Sequence, residues 1–240
     1  MMSGTLIDVA KHQGNLKYRV WEKMLEIVQY TPVILDPNTA SPFHYLSEEL
    51  TSVRYIEMKQ HLPENPERFR AFPFILGRDG LGPGRHSWEV EVGESCLWII
   101  GVAKGSINRN GGVAKGSMNC NGAMAEGPGE GPWCIRHSDG RYIGTSLSPT
   151  VTETPLAVRR PPRSVRVQLD WDEGELSFTD AANGTLLHTI RGLPITERLF
   201  PIFCPSQDSL PLRICTQAML AARPTPPTLP TQPYQGCDIM

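Results

Sequence analysis

The 240-residue sequence predicts an all-β fold, a two-sheet antiparallel β-sandwich preceded by a short N-terminal helix. Three observations predict it. No three- or four-residue apolar period recurs after Ile27, so the helical signal stops there. Short apolar or alternating runs then follow one another, separated by Gly, Pro, Asn and Asp, which is the texture of a sandwich rather than of a parallel α/β fold. In VRVQLDW (165–171), Val165, Val167, Leu169 and Trp171 fall on one face and Arg166, Gln168 and Asp170 on the other, as a half-buried strand requires.

Residues 1–30 hold the helix. Leu6, Val9, Leu16, Val20, Met24 and Ile27 recur at helical steps, interrupted by Gln13 and Gly14. A stripe of this length cannot bury itself, so it either packs on the following domain or is the stub of a longer coiled coil, through which the chain would form a homodimer. Tyr30-Thr31-Pro32 ends it, because a residue before proline is pushed towards extended geometry. The sandwich occupies 31–216. Its clearest strands are WEVEV (88–92), LWIIGVA (97–103), WCI (133–135), VRVQLDW (165–171), ELSFTD (175–180), TLLHTI (185–190) and LFPIFC (199–204). WDEG and AANG are turn chemistry, so Val165 to Ile190 reads as three consecutive strands. Residues 217–240 are rich in proline and poor in hydrophobic residues, the composition of a disordered or polyproline tail.

Bulk properties exclude several classes. A formal charge of −2 gives no electrostatic reason to expect nucleic acid or an anionic membrane as partner. No apolar run approaches the roughly 20 residues of a membrane helix, and the first thirty residues lack a secretory pattern, so the chain is read as cytoplasmic. The six cysteines form no C-x-x-C pair and none precedes Cys96; they read as scattered thiols, with no metal and no cofactor expected. GRDGLGPG (77–84) is followed by RHSWEVEV, a strand, whereas a phosphate cradle needs a helix there, so it reads as a turn entering a sheet. Asn183-Gly184-Thr185 fits a glycosylation sequon, and Asn-Gly is also the strongest hairpin signal; the turn is preferred. Asp170, Asp172, Glu173 and Glu175 read as a solvated acidic hairpin. The histidines form no ligand spacing and no G-x-S-x-G elbow is present, so no catalytic residue is assigned and the chain is expected not to be an enzyme.

The best binding candidate is WCIRHSDGRY, where Trp133 starts a strand and Arg136, His137, Asp139, Arg141 and Tyr142 surround an Asp-Gly turn. Trp, Tyr and Arg are frequent interface anchors. Trp133 is equally consistent with a core position, and both readings stay open.

Gly101–Gly111 and Gly112–Gly122 are near copies, differing only in Ile107 against Met118 and Arg109 against Cys120. The first copy continues the apolar run LWIIGVA and completes a strand. The second has no such lead-in and is expected to lengthen the loop before Trp133, leaving 112–130 irregular and mobile. Two periods do not make a solenoid.

In order along the chain, LDPNTA, a short strand and SVRY, then ERF, FILGRDGLGPGRHSWEVEV, LWIIGVAKGSINRNG, the Trp133 strand, VRVQLDWDEGELSF and LFPIFCP resemble a PRY/SPRY domain, with PRY about 31–80 and SPRY about 81–216. GNLKYRVWEKMLEIVQYTPV resembles the coiled-coil exit of tripartite-motif (TRIM) proteins, especially the fish zinc-binding, ubiquitin-ligase-like members. The resemblance implies a bent, concanavalin-like jelly-roll sandwich that binds protein partners through end loops. It implies the substrate-selecting part of a TRIM-type ubiquitin ligase system, with innate immunity as a setting. The RING and B-box cysteines that recruit the ubiquitin machinery in such proteins have no counterpart here. By position the resemblance adds Arg54, Tyr55, Asn108, Arg109, Phe203, Gln207 and Asp208 to the partner-binding set. The alternative it offers is a butyrophilin-like sensor of a small phosphorylated ligand, which would need a basic pocket built in part from Arg136, His137 and Arg141.

Loop-closure cost grows only logarithmically with length, so eleven added residues should cost under about 1 kcal/mol. Deletion of Gly112–Gly122 is therefore expected to leave the melting temperature nearly unchanged; a large drop in a thermal melt would show that the second copy is packed.

Overall fold

The computed structural model describes residues 32–70, 72–107, 109, 132–147, 151–205 and 210–216. The predicted N-terminal helix and any dimer through it, the second copy of the doubled segment, Asn108, Gln207, Asp208 and the proline-rich tail lie outside them. The described residues form strands and no helix. In chain order these are β1 His44–Leu46, β2 Ser52–Tyr55, β3 Ile75–Leu76, β4 Arg85–Glu91, β5 Leu97–Lys104, β6 Trp133–Ser138 and β7 Arg141–Leu147. They continue with β8 Val151–Leu156, β9 Ser164–Asp170, β10 Glu175–Asp180, β11 Leu186–Arg191, β12 Leu199–Pro205 and β13 Leu212–Ile214.

Two antiparallel sheets result. One runs β1-β2-β13-β4-β9-β10-β11, the other β3-β12-β5-β6-β7-β8. Their facing sides enclose the main core, with Trp88, Trp98, Trp133, Ile135, Val167, Leu176, Phe178 and Phe203 among its members. The alternation read in VRVQLDW holds for the paired strands: Val165, Val167 and Leu169 are buried, as are Leu176 and Phe178 opposite them. Trp171 lies beyond the end of β9 and is half-buried. Strand β5 does not alternate: Trp98 through Ala103 are all buried. A strand buried on both faces reads as a continuous apolar run. The cover on its outer face is a second cluster, in which Phe69, Phe74 and Leu76 pack on Ile99, Ala103, Cys134, Ile202 and Cys204.

The covering segment is tied down by polar groups. Arg68 donates to the carbonyls of Pro37 (3.2 Å) and Ala40 (2.6 Å). Thr39 donates its hydroxyl to the Asp36 carbonyl at 2.9 Å and accepts the Leu76 amide at 3.0 Å. LDPNTA is thereby a turn locked onto β3. At Gly101 a Cβ would meet the Trp133 carbonyl oxygen and the Cys134 backbone, so β5 and β6 approach here only because that position is glycine. At Gly144 it would meet the His188 imidazole, which brings β11 of one sheet under β7 of the other.

Every strand expected from the apolar runs is present, and Val165 to Ile190 is the three-strand meander β9-β10-β11. Strands β3, β7, β8 and β13 were not signalled: β3 has two residues, and β8 is VTETPL, in which Thr152 through Pro155 are exposed. The Asp-Gly turn is a two-residue hairpin with φ of 48° at Asp139 and 77° at Gly140. This is the pairing of positive φ values that such a loop favours. Asn183-Gly184 also turns the chain, but within a longer loop organised by Asp180, whose carboxylate accepts from the Ala182 amide (2.9 Å) and Asn183 Nδ2 (2.7 Å).

His44 is 3% exposed, and burial, opposed by a backbone hydrogen bond at Pro73, lowers its pKa from 6.5 to about 3. Burial lowers His137 and His188 as well. The unfolded chain binds protons below about pH 6.5 where these folded imidazoles resist them, so stability falls as pH falls. The slope rises towards 1.36 kcal/mol per pH unit as the unfolded imidazole protonates, so His44 alone is expected to remove about 1.6 kcal/mol between pH 6.5 and 5. Denaturant unfolding at the two pH values reads the slope, and His44→Leu is expected to flatten it whatever its own starting stability.

Candidate functional site

The β6–β7 hairpin carries six of the predicted binding residues, and strand alternation divides them. Trp133, Ile135, His137 and Tyr142 face the main core. Trp133 is 0% exposed and Tyr142 is buried, so both belong to the core rather than to a binding surface. His137 stacks on Tyr142 with ring centroids 4.4 Å apart, and both rings approach Trp98, at 5.8 and 6.1 Å. His137 Nδ1 lies 3.0 Å from the Ser95 carbonyl oxygen, which only accepts, so Nδ1 carries the proton and donates it. Burial outweighs the opposing influence of Ser95 and Asp139 and favours the neutral ring.

Cys134, Arg136, Ser138, Arg141 and Ile143 take the outer face. Arg136 is only 8% exposed, and its guanidinium donates to Glu153 Oε1 of β8 at 3.0 Å, reaching diagonally across β7. A cation this deeply placed requires such a partner. Asp139 and Arg141 are exposed at the hairpin tip. Cys134, opposite Thr145 at the far end of the hairpin, has its thiol pushed up to about 12 by burial, which leaves it an inert core thiol. Arg136 and His137, adjacent in sequence, therefore point to opposite faces. The basic pocket that a phosphorylated ligand would need does not assemble from them.

The remaining predicted residues scatter. Arg54 and Tyr55 stand in β2 of the other sheet, Arg54 over the Tyr45 ring at 4.7 Å and Tyr55 stacked on Phe43 at 5.8 Å. Arg109 lies 5.9 Å from the Phe69 ring centroid and donates to the Gly105 carbonyl at 3.2 Å. Phe203 is 1% exposed and faces the core, so it presents nothing to a partner. Glu153, the partner of Arg136, was missed. Its signal lay in the alternation of VTETPL, which is legible only once β8 is known to be a strand.

Two antiparallel sheets thus present an outer face that carries the Arg136–Glu153 ion pair and a two-residue hairpin tip. No group of three or more His, Cys, Asp or Glu side chains among the described residues is placed to hold a metal ion. The chain belongs to the SPRY domain family, which it matches over residues 85–217, and residues 33–81 match the SPRY-associated domain PRY. It is 37% identical to nuclear factor 7, ovary, of Xenopus laevis over 80% of the chain and 30% of that protein. It is 40% identical to the E3 ubiquitin-protein ligase TRIM11 of Bos taurus over 75% of the chain and 35% of that protein. With butyrophilin subfamily 1 member A1 of Mus musculus it shares 37% identity over 88% of the chain and 38% of that protein. The chain thus spans about a third of the length of these relatives. Among solved structures, the TRIM65 PSpry domain superposes with a TM-score of 0.63 at 20% identity, over 90% of this chain and all of that one. Stonustoxin gives a TM-score of 0.62 at 25% identity, over 78% of this chain and 29% of that one. SPRY domains are protein-interaction modules, and this chain is one.

Trp133→Ala is expected to cost about 3–5 kcal/mol through cavity formation. Arg141→Ala, at an exposed tip, should stay within about 0.5 kcal/mol. Thermal or denaturant unfolding of the two variants checks both.

Proposed function

We propose that the chain is the target-selecting part of a TRIM-type ubiquitin ligase system and recognises its protein partner through the outer face of β6, β7 and β8. The observation that carries this reading is the Arg136–Glu153 pair. A nearly buried arginine is fixed by a half-exposed carboxylate (47%), with half-buried Ile143 and exposed Pro155 on the same face and Asp139 and Arg141 at its tip. Arginine held rigidly beside apolar surface is what interface hot spots are made of. A partner carboxylate placed over this face would share the Arg136 guanidinium, whose planar fork has donors to spare. The identity with TRIM11, named as a ubiquitin-protein ligase, supports the system to which the module is assigned.

The test is affinity capture with the intact chain against Arg136→Ala/Arg141→Ala, each first shown by thermal melt to be folded. A partner retained by the intact chain and lost by the variant is expected. Equal recovery by both would remove this face from the binding surface. Stabilisation by millimolar phosphorylated metabolites, abolished in the same variant, would favour a ligand sensor instead.

A further inference from the structure

A groove lies on the flank where β8 borders one sheet and β11 borders the other. The two borders share that flank because His188 of β11 packs under Gly144 of β7, the neighbour of β8. The groove, of about 370 Å³, runs between the chain leaving β8 and the turn entering β11. Its apolar lining is Ala157, the half-buried Val158 and Leu187, and Leu186, which at 59% is one of the few large hydrophobic side chains left exposed among the described residues. Arg159 and Arg160 complete one wall.

Those two arginines differ from their neighbours. Arg163, Arg166 and Arg191 each have a carboxylate within 4 Å, whereas among the described residues no ion pair or hydrogen bond engages Arg159 or Arg160. The acid in the lining, Asp180, is ion-paired with neither of them; its two oxygens accept from the Ala182 amide and Asn183 Nδ2, and its single charge leaves the two guanidinium groups in excess. The segment that carries them is also stiff. Pro161 and Pro162 follow, Pro162 is buried, and the Arg163 carbonyl accepts the Val92 and Gly93 amides at 2.9 and 3.1 Å. Proline fixes φ, so little chain entropy remains to be lost when the guanidinium groups are engaged.

We propose that this groove docks an acidic, extended segment of a protein partner, seating an aliphatic side chain against Leu186 and Leu187 and its carboxylates on Arg159 and Arg160. Uncompensated positive charge selects the carboxylates, and the exposed leucine selects a ligand with apolar bulk, which a free inorganic anion lacks. Strand β11 pairs with β10 alone among the described strands, so its other edge offers backbone groups to an extended chain. The proposal is independent of the Arg136 face.

The probe is a fluorescein-labelled peptide of about eight residues alternating Asp or Glu with Leu, titrated by anisotropy against the full chain at about 50 and 150 mM salt, since screening weakens exposed charge pairs. Controls are its Asn/Gln counterpart and inorganic pyrophosphate. Arg159→Gln/Arg160→Gln and Leu186→Ser alter exposed side chains and should melt like the parent. Expected is binding that weakens at least about tenfold in the double arginine variant and for the neutral peptide, falls at least about threefold in Leu186→Ser, and persists in Arg136→Ala. Absence of binding, or affinity unchanged in both groove variants, overturns the proposal. So does loss confined to Arg136→Ala, which would put the peptide on the β6–β8 face. Full displacement by pyrophosphate together with indifference to Leu186→Ser would define a small-anion site and overturn it equally.

Discussion

Strand β5 is buried on both faces, and the rest of the molecule is arranged to make that burial complete. Six consecutive residues, Trp98 to Ala103, exclude water. On the inner side the seven-stranded sheet supplies the cover; on the outer side the cover is Phe69, Phe74 and Ile107. Backbone amides in such a strand have no water to fall back on, so β5 must be paired along both edges, by β12 and by β6. The glycine at position 101 and the clamp of Arg68 on the Pro37 and Ala40 carbonyls follow from the same requirement, one letting β6 close in and the other holding the covering segment down. The PRY part of the chain is thus structurally the lid of the SPRY sheet.

The cover stops short, and the part of the outer face it leaves open is of a different character. Phe69 and its neighbours pack over β12, β5 and the start of β6. Beyond them the outer face of β6, β7 and β8 carries Arg136, Ile143, Glu153 and Pro155. The outer face of the other sheet is different in kind. There Arg85–Asp170, Glu89–Arg166 and Glu175–Arg191 pair opposite charges on directly opposed residues of adjacent strands. The exposed pairs Arg85–Asp170 and Glu175–Arg191 contribute little each, whereas Glu89 is buried and depends on its partner; all three punish a register slip. A face whose charges are matched within the sheet has little to offer a partner, whereas the Arg136 face and the Arg159–Arg160 groove keep unused donors.

The architecture was largely legible because it rests on apolar runs and turn residues, which one sequence displays directly. VRVQLDW, ELSFTD and LWIIGVA declared strands by composition, and Asp139-Gly140 declared a turn. What stayed hidden depends on neighbours. Strand β8 is polar and lies at a sheet border, so its sequence carries no burial signal, and with it Glu153 was lost. Trp133, Tyr142 and Phe203 have the side chains of interface anchors, yet their positions in the pleat turn them inward. Side-chain type suggests what a residue is able to bind; only register and face decide whether it is presented. The Arg159–Arg160 groove was invisible for a related reason, since its two walls are some twenty-five residues apart in sequence and meet only because β11 folds under β7.

The doubled segment shows the same logic at the smallest scale. Its copies differ at two positions, and in the first copy both are engaged: Ile107 is buried in the outer cluster, and Arg109 lies over Phe69 while its carbonyl accepts the Arg70 amide at 3.1 Å. Met118 would replace Ile107 at modest cost, since volume-conserving apolar exchanges are tolerated in cores. Cys120 in place of Arg109 would lose both the ring contact and the donor to the Gly105 carbonyl. The first copy is therefore the one whose residues suit the lid of β5, and the two copies are not interchangeable even though nine of their eleven positions agree. A change at either differing position of the first copy acts on the cover of the sheet, and through it on the scaffold that presents Arg136.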